Sequence, residues 1–425
     1  MKRSFLFLMA ALVAAGCGKS SDANAQVHEL EVVKALEQQS FPQTVTPGDY
    51  SGISMIDESH YAVVSDKSGG DGFFIFEIKI DKKSGTITSA SNSSSSGTGV
   101  SFLSAGGSNR DAEGIVYFPA GASAVSKNAS ASSGSGTVFI SGEADKAVYE
   151  YDMKGARTGR KLNIPTVFSG ASSNYGFESL AYNAKTHLFW TTTESTIPSD
   201  GTQATAKNGV CNVLRFQSFD ENLQPVAQYV YKMDAPSAAA AVEAENKAAA
   251  EKKANAAKNG GSDDSVGDLF SMITSVASQV LSQSSVAKGA AADMPYAMGV
   301  SELLALDDGS LIVLEREFYI PSGIIGARVV CKLYHVNPAD CKPIAGSGSQ
   351  FSAAIPSDAQ ILPKRLLYQF TTAIKSLNDF NIANYEGMCL GPVLNNGNQT
   401  IILISDSQSG YKGILQDWFK VLEIK

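Results

Sequence analysis

Tyr385-Glu386-Gly387-Met388-Cys389-Leu390, then Asn395-Asn396-Gly397, then Ile401-Ile402-Leu403-Ile404-Ser405-Asp406 read together as one hairpin. The first stretch opens on an acid and runs into apolar residues. Asn-Asn-Gly is hairpin-turn chemistry, and the last stretch is an apolar run that closes on a carboxylate. The pattern occurs four more times. Its other openings are Ser51-Gly52-Ile53, Glu113-Gly114-Ile115, Glu178-Ser179-Leu180 and Glu302-Leu303-Leu304, with closings at Asp66, Glu143, Glu194 and Glu315. A self-similar hairpin recurring every several tens of residues signals a repeat architecture, and strands in each repeat point to a β-propeller. The expected fold is therefore all-β, a propeller of five to seven blades with six favoured, carrying one helical insertion.

In an antiparallel hairpin the start of the first strand lies beside the end of the second, so both acids of a copy fall on one edge. With the hairpins as inner strands of successive blades, that edge becomes one rim of the central channel. Nine carboxylates are expected there: Asp66, Glu113, Glu143, Glu178, Glu194, Glu302, Glu315, Glu386 and Asp406. Like charges so close must protonate, pair with Lys or Arg, or bind cations. Hard divalent cations, Ca²⁺ above all, take oxygen ligands of this kind. Arg110, Lys67 and Arg316 adjoin the same positions and are candidate partners. The plainer alternative has individual glutamates capping blade tops through backbone N–H groups.

The 425 residues are 44% hydrophobic, enough for a large core in one or two domains. Met1 to Gly16 reads as a bacterial export signal. Lys2 and Arg3 form its charged start, Phe5 to Ala15 its apolar stretch, and Ala14-Ala15-Gly16-Cys17 a lipobox-like end. Cys17 is then the lipidation site, with ordinary signal cleavage as the alternative. The apolar stretch is too short for a stable transmembrane helix. The expected location is the cell envelope, with the protein exported and tethered to the membrane by lipid. Removing Lys2 and Arg3 from the 34 basic residues leaves 32 against 42 acids, a net charge of about −10. No basic patch with interleaved aromatics occurs, which argues against nucleic acid. Of Cys211, Cys331, Cys341 and Cys389, the pair Cys331 and Cys341 is spaced to bridge, and no CxxC suggests zinc.

Residues 17–47 read as a tether plus a closing strand within Val27 to Val33, expected to pair with Trp418 to Ile424 at the other terminus. The propeller spans 48–425. Its successive openings (51, 113, 178, 302, 386) lie 62, 65, 124 and 84 residues apart. The long gap holds an Ala/Ser-rich insertion, 235–293, in which 238–258 is a strong helix former. Leu269, Ile273, Val276 and Val280 make a helical stripe in the same segment. The insertion is expected to be a helical or partly disordered excursion, or else a lid or partner-binding helix. The four histidines show no metal-site spacing, and no G-x-S-x-G elbow supports a serine triad. The chemistry left is carboxylate- and metal-based.

Taken in order, Tyr50-Ser51-Gly52-Ile53, Val64-Ser65-Asp66, Arg110-Asp111-Ala112-Glu113-Gly114-Ile115, Asn174-Tyr175-Gly176-Phe177-Glu178-Ser179-Leu180, Val300-Ser301-Glu302-Leu303, Val313-Leu314-Glu315-Arg316-Glu317, Asn384-Tyr385-Glu386-Gly387-Met388 and Ile404-Ser405-Asp406 resemble the bacterial family called "esterase-like activity of phytase". The resemblance covers about residues 48 to 425 apart from the insertion. The third copy departs mildly, with Glu178-Ser179 in place of Glu-Gly, and the Asp-Asp-Pro-Ala motif associated with calcium-dependent β-propeller phytases is absent. The resemblance implies a metal-dependent phosphoesterase or esterase acting on an anionic small-molecule ester or phosphoester. Glu113, Glu178, Glu302 and Glu386 are the expected catalytic residues. Asp66, Glu143, Glu315 and Asp406 are the expected metal ligands, and Arg110 and Arg316 the expected holders of the substrate anion. Two other readings remain: a non-catalytic, calcium-stabilised surface propeller that binds a ligand or protein, and a lactonase-type metal hydrolase.

Overall fold

The computed structural model of the chain describes residues 29–93, 99–121, 136–172, 175–206, 208–237, 251, 296–320, 325–376, 379–408 and 415–425. The expected export signal, Cys17 and nearly all of the insertion lie outside these residues. Among the described residues the regular structure is strand, interrupted by short 3-10 turns, and no helix is long and apolar enough to cross a membrane.

Five antiparallel sheets make five blades. This is within the range expected from the sequence and one short of the favoured six. Each repeated hairpin supplies the two inner strands of one blade. Blade 1 is β2 (Tyr50–Met55), β3 (His60–Ser65), β4 (Gly72–Ile80) and β5 (Ile87–Ser91), with β6 (Phe102–Ser104) also on β4. Blade 2 is β7 (Ala112–Phe118), β8 (Thr137–Gly142), β9 (Ala147–Asp152) and β10 (Arg157–Lys161). Blade 3 is β11 (Ala181–Asn183), β12 (Leu188–Thr191), β13 (Val213–Phe219) and β14 (Pro225–Lys232). Blade 4 is β15 (Tyr296–Ala305), β16 (Leu311–Tyr319), β17 (Arg328–Val336), β18 (Lys364–Ser376) and β19 (Asp379–Phe380). Blade 5 is β20 (Asn384–Val393), β21 (Gln399–Asp406) and β22 (Phe419–Ile424), completed by the N-terminal β1 (Val32–Ala35).

The terminal strands pair as expected, with Val32 opposite Ile424 and Ala35 opposite Leu422. The inner strands touch in a closed cycle, β2 to β7 to β11 to β15 to β20 and back to β2. Radial repetition of the blades leaves only short sheet edges in place of those a lone hairpin would expose.

One apolar core fills each gap between neighbouring blades. In β16, Leu311 and Val313 pack toward blade 3, while Ile312 and Leu314 pack toward blade 5. In β21, Ile401 and Leu403 face blade 4, while Ile402 and Ile404 face blade 1. A strand buried on both faces has no polar side to alternate with, which is why these segments read as continuous apolar runs. The same alternation keeps Cys331 and Cys341 apart. Cys331 lies in the core between blades 4 and 5 and Cys341 in that between blades 3 and 4, and all four described cysteines are free. The bridge between them is not formed.

Candidate functional site

The ladder of every inner hairpin slips by one residue at the same place. The pairs just before the slip are Tyr50 with Ser65, Ala112 with Gly142, Phe177 with Thr193, Val300 with Glu315 and Tyr385 with Ser405. The pairs after it are Gly52 with Val64, Ile115 with Ile140, Ala181 with Trp190, Glu302 with Leu314 and Gly387 with Ile404. A bulge of this kind leaves one residue unpaired and re-aims its side chain. The bulged residues are Ser51, Glu113, Glu178, Ser301 and Glu386.

The bulge sets the register of the blades relative to one another. The closing positions that match are Asp66, Glu143, Glu194, Arg316 and Asp406. The residues facing them across the ladder are Asp49, Asp111, Gly176, Gly299 and Asn384. At blades 3 and 4 only glycine fits there. A Cβ on Gly176 would lie 2.7 Å from Glu143 Cγ, and one on Gly299 would lie 2.1 Å from Glu194 Cγ.

Seven of the nine carboxylates expected on the rim hold these positions, and Glu302 and Glu315 do not. Each lies one residue off the shared register, and one residue turns a strand side chain to the other face. Glu315 points toward blade 3, where Tyr231 donates to it at 2.6 Å and Lys364 at 2.7 Å. Glu302 is held by backbone. Its Oε1 accepts from the N–H groups of Leu180 at 3.1 Å and Leu303 at 3.0 Å, and the Met388 N–H also donates to the carboxylate. Arg110 lies apart from the acids too. Asp145 takes two of its N–H groups at 2.7 Å, and the Tyr151 hydroxyl and the Ile140 and Ala147 carbonyls take the others. Arg316 is inside the ring. It donates to Glu194 Oε1 at 2.9 Å and Asn384 Oδ1 at 3.0 Å, and lies 3.0 Å from Glu386 Oε1.

Asp49 and Asp111 join the ring although they were not among the expected residues. Both stand two positions before the opening residue and face Asp66 and Glu143 across the ladder, and that spacing was the available signal. Three groups of carboxylates result, each with oxygens within 4.8 Å of one another: Asp49, Asp66 and Asp406; Asp66, Asp111 and Glu113; Glu113, Glu143 and Glu178. Shared members chain them into one cluster across blades 5, 1, 2 and 3. Its mouth is at Asp111 and Lys67, whose side chains are 32% and 39% exposed.

Burial pushes Glu113, Glu178 and Asp406 well above the usual carboxylate range, and neighbouring acids push them further. The same cause raises Glu143 to about 9, and Asp66 and Glu194 to about 7. Arg316 and Lys67 pull the other way. Glu113 and Glu178 are 6% and 3% exposed. Asp66 Oδ1 and Glu194 Oε2 are also buried without a donor among the described residues. Buried carboxylate oxygens without donors are costly. An all-oxygen set of this kind fits a hard cation, so the buried clusters are able to hold a metal.

A family model described as phytase-like, "esterase-like activity of phytase", matches residues 46–408. No curated protein matches the chain. Among solved structures it is similar to a streptogramin B lyase, at 8% identity and a TM-score of 0.31, with 92% of this chain and 98% of that chain covered. It is also similar to a Thermus thermophilus protein described as a putative oxidoreductase (glucose dehydrogenase), at 8% identity and a TM-score of 0.28, with 92% and 100% covered.

Proposed function

The chain belongs to the phytase-like family, and from that premise we propose that it is an exported, cation-dependent hydrolase of phosphoester or ester bonds working at the acid ring of its channel. The observation that carries this reading is the pair Glu113 and Glu178. Both are buried beside further acids, and the neighbouring Asp66 Oδ1 and Glu194 Oε2 are buried without a donor among the described residues, a state that calls for protons or a cation.

Asp66 with Asp111 and Glu113, or with Asp49 and Asp406, are the residues to hold an ion. Their oxygens lie within 4.8 Å in each group, and Ca²⁺ gathers six to eight oxygens at about 2.3–2.6 Å, so the spread matches ligands on opposite sides of one ion. A divalent cation held by these residues would offset the ring's charge and would supply Lewis-acid polarisation of a phosphoryl or carbonyl oxygen. Glu178, deeper in the cluster, takes the proton from attacking water. Arg316 holds Glu194 and Glu386 in place and neutralises that side of the ring, so the open charge is concentrated on blades 5, 1 and 2. The substrate is a small anionic ester or phosphoester entering at Asp111. The protein is delivered to the cell envelope and tethered through Cys17.

The burial of most of the ring also favours a second reading, a calcium-stabilised propeller that binds a ligand without turning it over. Hydrolysis of an aryl phosphate and an aryl ester, with Ca²⁺ and with chelator, separates the two. Turnover that needs Ca²⁺ and drops by orders of magnitude in Glu113→Gln supports the hydrolase. No turnover of either substrate, with chelator only lowering the melting temperature, supports the binding propeller.

A further inference from the structure

Lys67 follows the closing residue of blade 1. The equivalent residues of the other blades are Ala144, Ser195, Glu317 and Ser407, so this position carries a cation in blade 1 alone. Its ammonium lies 2.5 Å from Asp66 Oδ2 and 3.2 Å from Asp111 Oδ1, bridging blades 1 and 2 across the mouth of the acid cluster. These two carboxylates and Glu113 form the middle one of the three acid groups. The ammonium therefore occupies oxygens that a metal ion would need, while Asp66 Oδ1 behind it has no donor among the described residues.

An ammonium and a divalent ion cannot share those oxygens, since like charges a few ångströms apart repel strongly away from bulk water. Of the two cations near the ring among the described residues, Arg316 is 4% exposed and fixed by two blades, whereas Lys67 is 39% exposed on a flexible four-carbon stem.

We propose that Lys67 is a displaceable internal cation: it holds the mouth of the site closed to anions until a divalent ion takes Asp66 and Asp111, and its freed ammonium then binds the phosphoryl group of the substrate. This rests on the cation-dependent reading above and adds a substrate class to it, since a free ammonium at the mouth selects a phosphate ester over a neutral ester. Lysine is suited to the part because it acts as a compact point charge that needs no fixed geometry. Phosphate affinity becomes conditional on the metal.

The test uses the full-length protein, its Lys67→Met variant, Ca²⁺ and inorganic phosphate, with binding of each read by calorimetry. Ca²⁺ should bind the variant about tenfold more tightly, because an internal competitor is gone. Phosphate should bind the wild type only with Ca²⁺ present, and bind the Ca²⁺-loaded variant about tenfold more weakly. Equal Ca²⁺ affinity in the two proteins, or equal phosphate affinity in their loaded forms, overturns the role of Lys67 while leaving the metal site standing. Failure of Ca²⁺ to bind either protein overturns the metal reading itself, and the role of Lys67 with it.

Discussion

Arg316 and Glu194 meet at 2.9 Å although 122 positions separate them, and both are almost wholly buried. Arg316 stands where four of the five blades place an acid. The ring is thus asymmetric by sequence: one side carries a buried, fixed counter-ion, and the other has only the more exposed Lys67 at its mouth.

Replacing Arg316 with Met leaves Glu194 and Glu386 buried without a partner charge. Breaking a buried pair from one side typically costs about 3–5 kcal/mol. Urea unfolding at pH 8 should show a loss of that size, and Glu194→Gln in the same chain should recover part of it. A change under about 1 kcal/mol would mean that the ring is more hydrated than its geometry implies.

Without metal, stability should fall as pH rises. In an unfolded chain these carboxyls titrate near 4. In the fold, burial keeps Asp66 and Glu194 protonated up to about 7 and Glu143 up to about 9. Between those limits the folded state holds more protons than the unfolded one, so stability is lost as pH rises through the folded values. Thermal melts in chelator should show a melting temperature that drops steadily from pH 5 to pH 9. Ca²⁺ should flatten the drop, most strongly at the alkaline end. A melting temperature that is level or rising in chelator would show that the acids are already ionised and satisfied.

Gly299 sets the position of Glu194. A Cβ there would lie 2.1 Å from Glu194 Cγ, so Gly299→Ala must push Glu194 away from Arg316. Overpacking of this kind costs about 1–3 kcal/mol. The diagnostic measurement is a double-mutant cycle. Gly299→Ala on a Glu194→Ala background should cost much less than on the wild type, and additivity would show that the two residues do not compete for the space.

The architecture was legible because each blade repeats its opening and closing in the same order, and because Leu311 to Leu314 and Ile401 to Ile404 are too apolar to have a solvent face. The ring was legible only in part, and the reason is the bulge. Alternation along a strand predicts which side chains share a face only while the ladder is unbroken, and an inserted residue shifts everything beyond it. In blade 4 the true positions, Ser301 and Arg316, stand directly beside the acids Glu302 and Glu315. The acids of this blade therefore lie one residue away from both ring positions. Asp49 and Asp111 were passed over for a related reason. They precede the repeated motif, and their place in the ring follows from pairing with Asp66 and Glu143 across the ladder.

Glu302 tests that register directly. It stands where blades 1, 2 and 5 have Gly52, Gly114 and Gly387. A Cβ on Gly52 would lie 2.3 Å from the Glu113 carbonyl oxygen, and one on Gly387 would lie 3.0 Å from Gly52 Cα. Inner strands here approach backbone to backbone, and Glu302 accepts N–H groups from its own strand, from Leu180 of blade 3 and from Met388 of blade 5. Glutamine keeps an oxygen for those donors, so Glu302→Gln should lose about 1 kcal/mol or less and retain both Ca²⁺ binding and turnover. Alanine leaves the buried donors empty at about 1–3 kcal/mol for each one not rescued by water, so Glu302→Ala should be among the most destabilising single changes in the inner strands. Glu113→Gln should behave in the opposite way, folding well in chelator while losing Ca²⁺ binding. If Glu302→Gln instead abolished turnover with its melting temperature unchanged, Glu302 would be a reacting group and the bulge register would not define the site.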